Sequence, residues 1–252
     1  MKRPTTGNVT LITGASSGLG EEMARQFAGL GYDLALCARR KGRLVTLAHE
    51  IRSGTGRRVE TATLDVTDSG AVAPVFHDFA DPYGTIDRVV VNAGIGTGAP
   101  IGTGRAQANH ATAMTNFVGA LAQTEAALEI FRRQGHGHLV LISSISALRG
   151  MRKSMTTYAA TKAGIASLAE GLRSENIKGL DVSVIYPGYI RSEMNAHLEQ
   201  KTRFMVDTTI GVQAMVAAIE KRCTTAYVPV WPWAPLAVAM KLLPLGIVRR
   251  LT

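Results

Sequence analysis

Cysteine is nearly absent from this chain: Cys37 and Cys223 are the only two in 252 residues, and they lie far apart. That excludes a disulfide framework and any zinc site built on paired cysteines. No metal is therefore expected, and a reducing, cytoplasmic setting is. Long apolar runs are missing near the start, where Val9 to Ile12 is too short for a signal-peptide core, so secretion is not expected. Acidic residues are in deficit, with 19 Asp+Glu against 28 Lys+Arg and a net charge of +9. The excess is dispersed in short clusters such as Arg39-Arg40-Lys41, Arg57-Arg58, Arg132-Arg133 and Arg249-Arg250. Without a long basic run or interleaved aromatics, nucleic acid is a poor partner, and solvated faces with an anionic ligand or a membrane surface fit better. What is plentiful is apolar side chain and glycine, 46% hydrophobic with 26 glycines. That composition suits one large α/β domain, or at most two small ones.

Val9-Thr-Leu-Ile12 reads as a strand breaking into Thr13-Gly-Ala-Ser-Ser-Gly-Leu-Gly20, and Met23, Phe27 and Leu30 then repeat at helical spacing. Strand, glycine-rich turn and helix together aim backbone N–H groups at a phosphate. Gly14, Gly18 and Gly20 permit the tight turn and the close approach that a pyrophosphate needs. A second strand, Leu34 to Ala38, ends in Arg39-Arg40 where an NAD site commonly places an acid. Two guanidinium groups there suit a 2′-phosphate and favour NADP(H), although Arg40, Lys41 and Arg43 could simply coat the helix expected from about 42 to 52.

The alternation continues with strands at Val59 to Leu64, running into Asp65-Val66, and at Ile86 to Val91, ending in Asn92-Ala93-Gly94. Between them a helix spans Ser69 to Phe79, and a long helix, roughly Ala108 to Arg133, follows. His138 to Ile142 forms a strand before Ser143, and Asp181 to Tyr186 another before Pro187-Gly188. Six strands alternating with helices, without linker or repeat, predict a Rossmann-type doubly wound parallel sheet in three α/β/α layers. The whole chain, 1–252, is expected to be a single domain, with 190–252 forming a substrate-side lid and an apolar C-terminal segment. Cys223 to Met240 carries no charge, yet Pro229, Pro232, Pro235 and Pro244 would interrupt a membrane span. A final strand from Ala226 to Val230 plus a core or lid helix is the first reading, and additional peripheral membrane contact through Trp231 and Trp233 the second.

Tyr158 and Lys162 are four apart, one turn from each other on a helix face. At about 4 Å and an effective dielectric of ~20, an ammonium beside a phenol is worth about 4 kcal/mol, or ~3 pK units. Such a pair predicts a Tyr158 pKa depressed towards the range useful for acid–base work.

Taken in order, Thr13-Gly-x-x-x-Gly-x-Gly20, Asp65, Asn92-Ala-Gly94, Asn116, Ser144, Tyr158-x-x-x-Lys162 and Pro187-Gly188 make the chain resemble a single-domain short-chain dehydrogenase/reductase from about Asn8 to Met194. The resemblance implies a catalytic tetrad of Asn116, Ser144, Tyr158 and Lys162. Tyr158 would pass a proton to or from the substrate oxygen, which Ser144 also binds. Lys162 would hold the nicotinamide ribose, and Asn116 would anchor a relay water. The implied cofactor contacts are Gly14, Ser16, Ser17, Gly18, Leu19, Gly20, Arg39, Arg40, Asp65, Val66, Asn92, Ala93, Gly94, Tyr158, Lys162, Pro187, Gly188, Ile190 and Ser192. Ser144 lies one residue farther from Tyr158 than is usual, which leaves Ser143 and Ser146 as alternative hydroxyls, and Ser192 replaces a common Thr.

These features lead to an NADP(H)-dependent oxidoreductase interconverting a carbonyl compound and its alcohol. The basic stretch Arg149, Arg152, Lys153, beside an apolar C-terminal region, hints at an anionic, amphiphilic or lipid-like substrate. The resemblance also implies a homodimer or homotetramer packed through helices near 108–133 and 157–177. The competing readings are an NADP-dependent isomerase or dehydratase, and a non-catalytic NADP-binding regulator at a membrane surface.

Overall fold

The computed structural model describes residues 8–198 and 204–251; residues 199–203 of the expected lid lie outside them. Seven parallel strands form one sheet: β1 (Val9–Thr13), β2 (Asp33–Ala38), β3 (Val59–Thr63), β4 (Arg88–Val91), β5 (Gly137–Ile142), β6 (Leu180–Pro187) and β7 (Thr225–Val228), ordered β3-β2-β1-β4-β5-β6-β7. The order reverses direction between β1 and β4, and the crevice at their carboxyl ends is where such sheets bind ligands.

Near-continuous apolar strands are what a sheet covered on both faces requires. Alternate residues serve opposite layers. In β2, Ala35 and Cys37 face one side and Leu34 and Leu36 the other; in β5, Leu139 and Leu141 oppose Val140 and Ile142. The first layer comprises α3 (Ser69–Tyr83), α5 (Gly119–Gln134) and α6 (Met155–Ser174), contributing Phe76, Phe131 and Ile165. The second comprises α1 (Gly18–Gly29), α2 (Lys41–Thr55) and α7 (Thr208–Glu220), contributing Phe27, Leu44 and Met215.

Several boundaries differ from expectation: α3 runs on to Tyr83 and β4 starts only at Arg88, and two further differences bear on the site. The last strand stops at Val228 because Pro229 has no N–H for the ladder, and α8 (Val230–Leu242) follows, then α9 (Leu245–Leu251). The long helix divides into α4 (Ala106–Ala113), a π-helical turn at Met114–Val118, and α5. Such turns are frequent at functional sites, and this one carries Asn116.

Candidate active site

The glycine-rich turn after β1 is a cradle that side chains would fill. Gly14 has φ +64 and Gly18 φ +56, the left-handed region that favours glycine. A Cβ on Gly14 would lie 2.8 Å from the Ala93 backbone, and one on Gly20 would lie 2.5 Å from the Gly14 carbonyl. Asn92 joins this turn to the end of β4: its side-chain amide donates to the Thr13 carbonyl at 2.9 Å, while the Thr13 hydroxyl accepts from the Asn92 and Ala93 amides. Ser16 is buried and Leu19 packs on the second core layer. This backbone-lined hollow at the sheet's switch point fits a pyrophosphate.

At the end of β2, Arg39 and Arg40 diverge. Arg39 lies 3.9 Å from Asp65, whose carboxyl is held below its usual range by hydrogen bonds from Thr67 and by Arg39. Val66 is buried in the first core layer, its carbonyl 2.8 Å from where a Cβ on Gly119 would stand. Arg40 turns to the phosphate turn, donating to Ser16 at 3.1 Å and to Ser17. Its third partner is the Glu193 carboxylate at 2.9 Å, which also binds Arg43. These two guanidinium groups push the Glu193 carboxyl down to about 2. Glu193 escaped the sequence reading because it lies 153 residues from Arg40, and no local pattern links them. Arg43, which reads in sequence as a coat for α2, belongs to this cluster as well.

Asn116, Ser144, Tyr158 and Lys162 converge at the carboxyl end of β5. Asn116 is fully buried and grips the Ile95 backbone, accepting from its amide at 2.8 Å and donating to its carbonyl at 2.9 Å. Among the three serines after β5, the buried Ser143 donates to the Lys162 carbonyl at 2.8 Å. Ser146 lies 2.7 Å from the Ser144 hydroxyl. Of the three, Ser144 is the one that acts on the Tyr158 phenol, favouring its ionised form.

The expected electrostatics of Tyr158 are corrected by the structure. Lys162 Nζ donates to the Ile142 carbonyl at 2.9 Å and stands 5.8 Å from the centre of the Tyr158 ring, and it is not among the groups that shift the phenol. Burial pushes the Tyr158 phenol above its ordinary value, the Ser144 hydrogen bond opposes it, and nearby Tyr189 adds to the rise. Burial also lowers Lys162 to about 8. Desolvation, which one-turn spacing cannot reveal, outweighs the ion–phenol attraction here.

Gly188, whose amide donates to the Val228 carbonyl at 2.9 Å, lies under Trp233 of α8, and a Cβ on it would stand 2.1 Å from the indole. Trp233 meets Tyr189 edge-to-face at 5.5 Å and Phe204 at 6.4 Å, an aromatic wall beside Tyr158. Ile190 is buried and bridges to Val206, while Ser192 donates from its amide and its hydroxyl to Asn195. Arg149 donates to the Lys241 carbonyl at the end of α8, a favourable place for a cation, whereas Arg152 and Lys153 are exposed. A cavity of about 560 Å³ lies elsewhere, between α6, β7 and the end of α8, lined by Glu170, Arg173, Tyr227 and Lys241 among others. It is separate from the tetrad.

The chain is similar to known proteins in sequence and fold. The family model described as short chain dehydrogenase matches residues 8–203. An uncharacterized oxidoreductase of Mycobacterium tuberculosis is 51% identical over 242 residues, covering 95% of each chain. A short-chain dehydrogenase from Sphingobium yanoikuyae, solved in complex with NADPH, superposes with a TM-score of 0.81 at 28% identity, covering 95% of this chain and 97% of that one. At 19% identity, a short chain dehydrogenase/reductase from Burkholderia phymatum in complex with NAD shares the fold, with a TM-score of 0.84 over 98% of this chain and 95% of that one. The chain belongs to the short-chain dehydrogenase/reductase family of oxidoreductases.

Proposed function

We propose that this oxidoreductase is an NADP(H)-dependent reductase of a carbonyl compound, acting through Tyr158. The observation that carries the reading is the gathering of Ser144, Tyr158 and Lys162 at the end of β5, with Lys162 Nζ on the Ile142 carbonyl and 5.8 Å from the Tyr158 ring centre, beside a glycine cradle shaped for a pyrophosphate. Bound NADPH would supply the hydride. The chain's own groups would supply the rest. The raised phenol keeps Tyr158 protonated at neutral pH, the form that donates to a carbonyl oxygen as negative charge develops on it. Ser144 donates to the same oxygen and stabilises that charge. Lys162, anchored on the Ile142 carbonyl, keeps two further ammonium protons for ribose hydroxyls. Asn116 fixes the Ile95 backbone and, with it, the turn after β4.

What supports NADP(H) over NAD(H) is that Arg40 and Arg43 converge on Glu193 just after β2, and that no acid ends β2. The aromatic wall of Tyr189, Phe204 and Trp233 suits an apolar or amphiphilic substrate body. An anionic group would be met by Arg152 and Lys153, since Arg149 is bound to α8. In this reading the chain works as one domain in the cytoplasm, with the segment after Ile190 over the substrate. Met114 and Val118 of the π-helical turn and Leu121 of α5, all exposed, support self-association through this helical stretch.

Tyr158→Phe tests the reading. NADPH oxidation with a ketone or aldehyde screen should fall by roughly 10²-fold or more while NADPH still binds, given the usual worth of a positioned proton donor. Undiminished turnover would reject the role of Tyr158.

A further inference from the structure

α8 is apolar on both faces, and only one is covered. Trp233, Leu236, Ala237 and Met240 pack with Ile145, Leu148, Tyr189 and Tyr227. Val238 and Leu242, four apart on the opposite side, are 58% and 79% exposed. Trp231, in the non-helical first residues of α8, is 76% exposed, and Leu245 and Ile247 of α9 are exposed as well. A helix apolar all round is ordinarily buried all round, and an exposed patch of this kind marks a contact surface.

Charge selects the partner. Across α8 and α9 the sequence holds Lys241, Arg249 and Arg250 with no Asp or Glu, whereas Arg222, before β7, is already paired with Asp181. Arg149 brings another cation to the end of α8 through its bond to the Lys241 carbonyl. A second copy of this chain would set the patch against itself across a two-fold axis, placing the cations of one helix pair against those of the other. A bilayer rich in anionic headgroups offers both an apolar layer and the missing negative charge. Tryptophan is at home at that depth. Among the described residues no helix is long and apolar enough to cross a membrane, so the surface rests on the bilayer.

We infer that the outer face of α8 and α9 docks this protein onto an anionic lipid surface, with Trp231, Val238, Leu242, Leu245 and Ile247 entering the interface and Lys241 and Arg149 meeting the headgroups. The covered face of the same helix carries Trp233 beside the site, so docking brings the substrate mouth close to lipid. This deepens the amphiphilic-substrate reading, although the docking itself does not depend on the chemistry.

Vesicle flotation of the full chain tests the inference, using phosphatidylcholine vesicles with and without phosphatidylglycerol. The protein should float with the anionic vesicles, less so as salt is raised, and Trp231→Ser/Leu242→Ser should lower partitioning by roughly tenfold or more, given the apolar area withdrawn. Leu242→Glu is read in the same way if the double variant has a depressed thermal melt. Three results would overturn the proposal: no flotation with either vesicle, flotation unchanged by both variants, or a wild-type oligomer that the variants dissociate without any vesicle binding. Failure of the catalytic reading would show in NADPH oxidation and leave flotation untouched.

Discussion

Replacing Lys162 with Met should alter stability in a way that depends on pH. The Lys162 side chain is 4% exposed, and burial lowers its pKa from 10.5 to about 8. A shift of that size corresponds to about 3 kcal/mol between the charged and neutral forms. Below pH 8 the lysine is charged in both folded and unfolded chains, so the folded protein carries the whole penalty. Between pH 8 and 10.5 the folded lysine releases its proton while the unfolded one keeps it, so this contribution to stability rises with pH. Lys162→Met removes the charge and also the bond to the Ile142 carbonyl, a loss of about 1–3 kcal/mol. Near pH 7 the two effects largely cancel, and the variant should be about as stable as the parent while losing turnover. Urea denaturation of the cofactor-free proteins at matched ionic strength, from pH 7 to pH 10, reads the difference. Parent minus variant stability should grow by about 2 kcal/mol over that range, most of the shift expressed as free energy. A flat difference would show that burial does not hold Lys162 near pH 8, and a falling one would reverse the sign of the argument.

Glu193→Gln should tighten NADPH binding by a few-fold and leave NADH unchanged, because Arg40 and Arg43 no longer share a carboxylate with the 2′-phosphate; isothermal titration with both nucleotides reads it, and equal effects on the two would count against it. Gly188→Ala should lower the melting temperature and depress turnover, since its methyl must displace the Trp233 indole; a variant with unchanged melting and kinetics would contradict that packing. Asn116→Ala leaves the Ile95 amide and carbonyl without their partners and should cost about 1–3 kcal/mol in denaturant unfolding. Thiol reagents should label Cys223 first and Cys37 only after unfolding, because Cys37 is buried and its thiol is pushed up to about 12.

The parallel sheet was readable because its strands are short apolar runs separated by turn residues, and a doubly wound order follows from such alternation. The glycine cradle was readable for the same reason: Gly14 and Gly20 leave no room for a side chain, a requirement visible at those positions alone. Spacing revealed that Tyr158 and Lys162 share a face. It could not reveal that Lys162 turns to the Ile142 carbonyl, because that depends on where β5 ends beneath α6. Three serines in four positions after β5 look alike in sequence, and only the packing of α6 commits Ser143 to a backbone carbonyl and leaves Ser144 beside Ser146. Glu193 was illegible because its partners lie on the other half of the sheet.

Two bonds described above run in opposite directions between the same pieces of chain: Ser143 hydroxyl to Lys162 carbonyl, and Lys162 ammonium to Ile142 carbonyl. Together they stitch the tip of β5 to the second turn of α6 and index the helix against the strand, so that a slip by one residue would break both. The loop between the stitched points is thereby relieved of any duty to set catalytic distances. It can gain a residue, as it has here relative to the family's usual spacing, or exchange its side chains for a new substrate, while the proton donor stays in place. The chain thus separates the part that must not vary from the part that can.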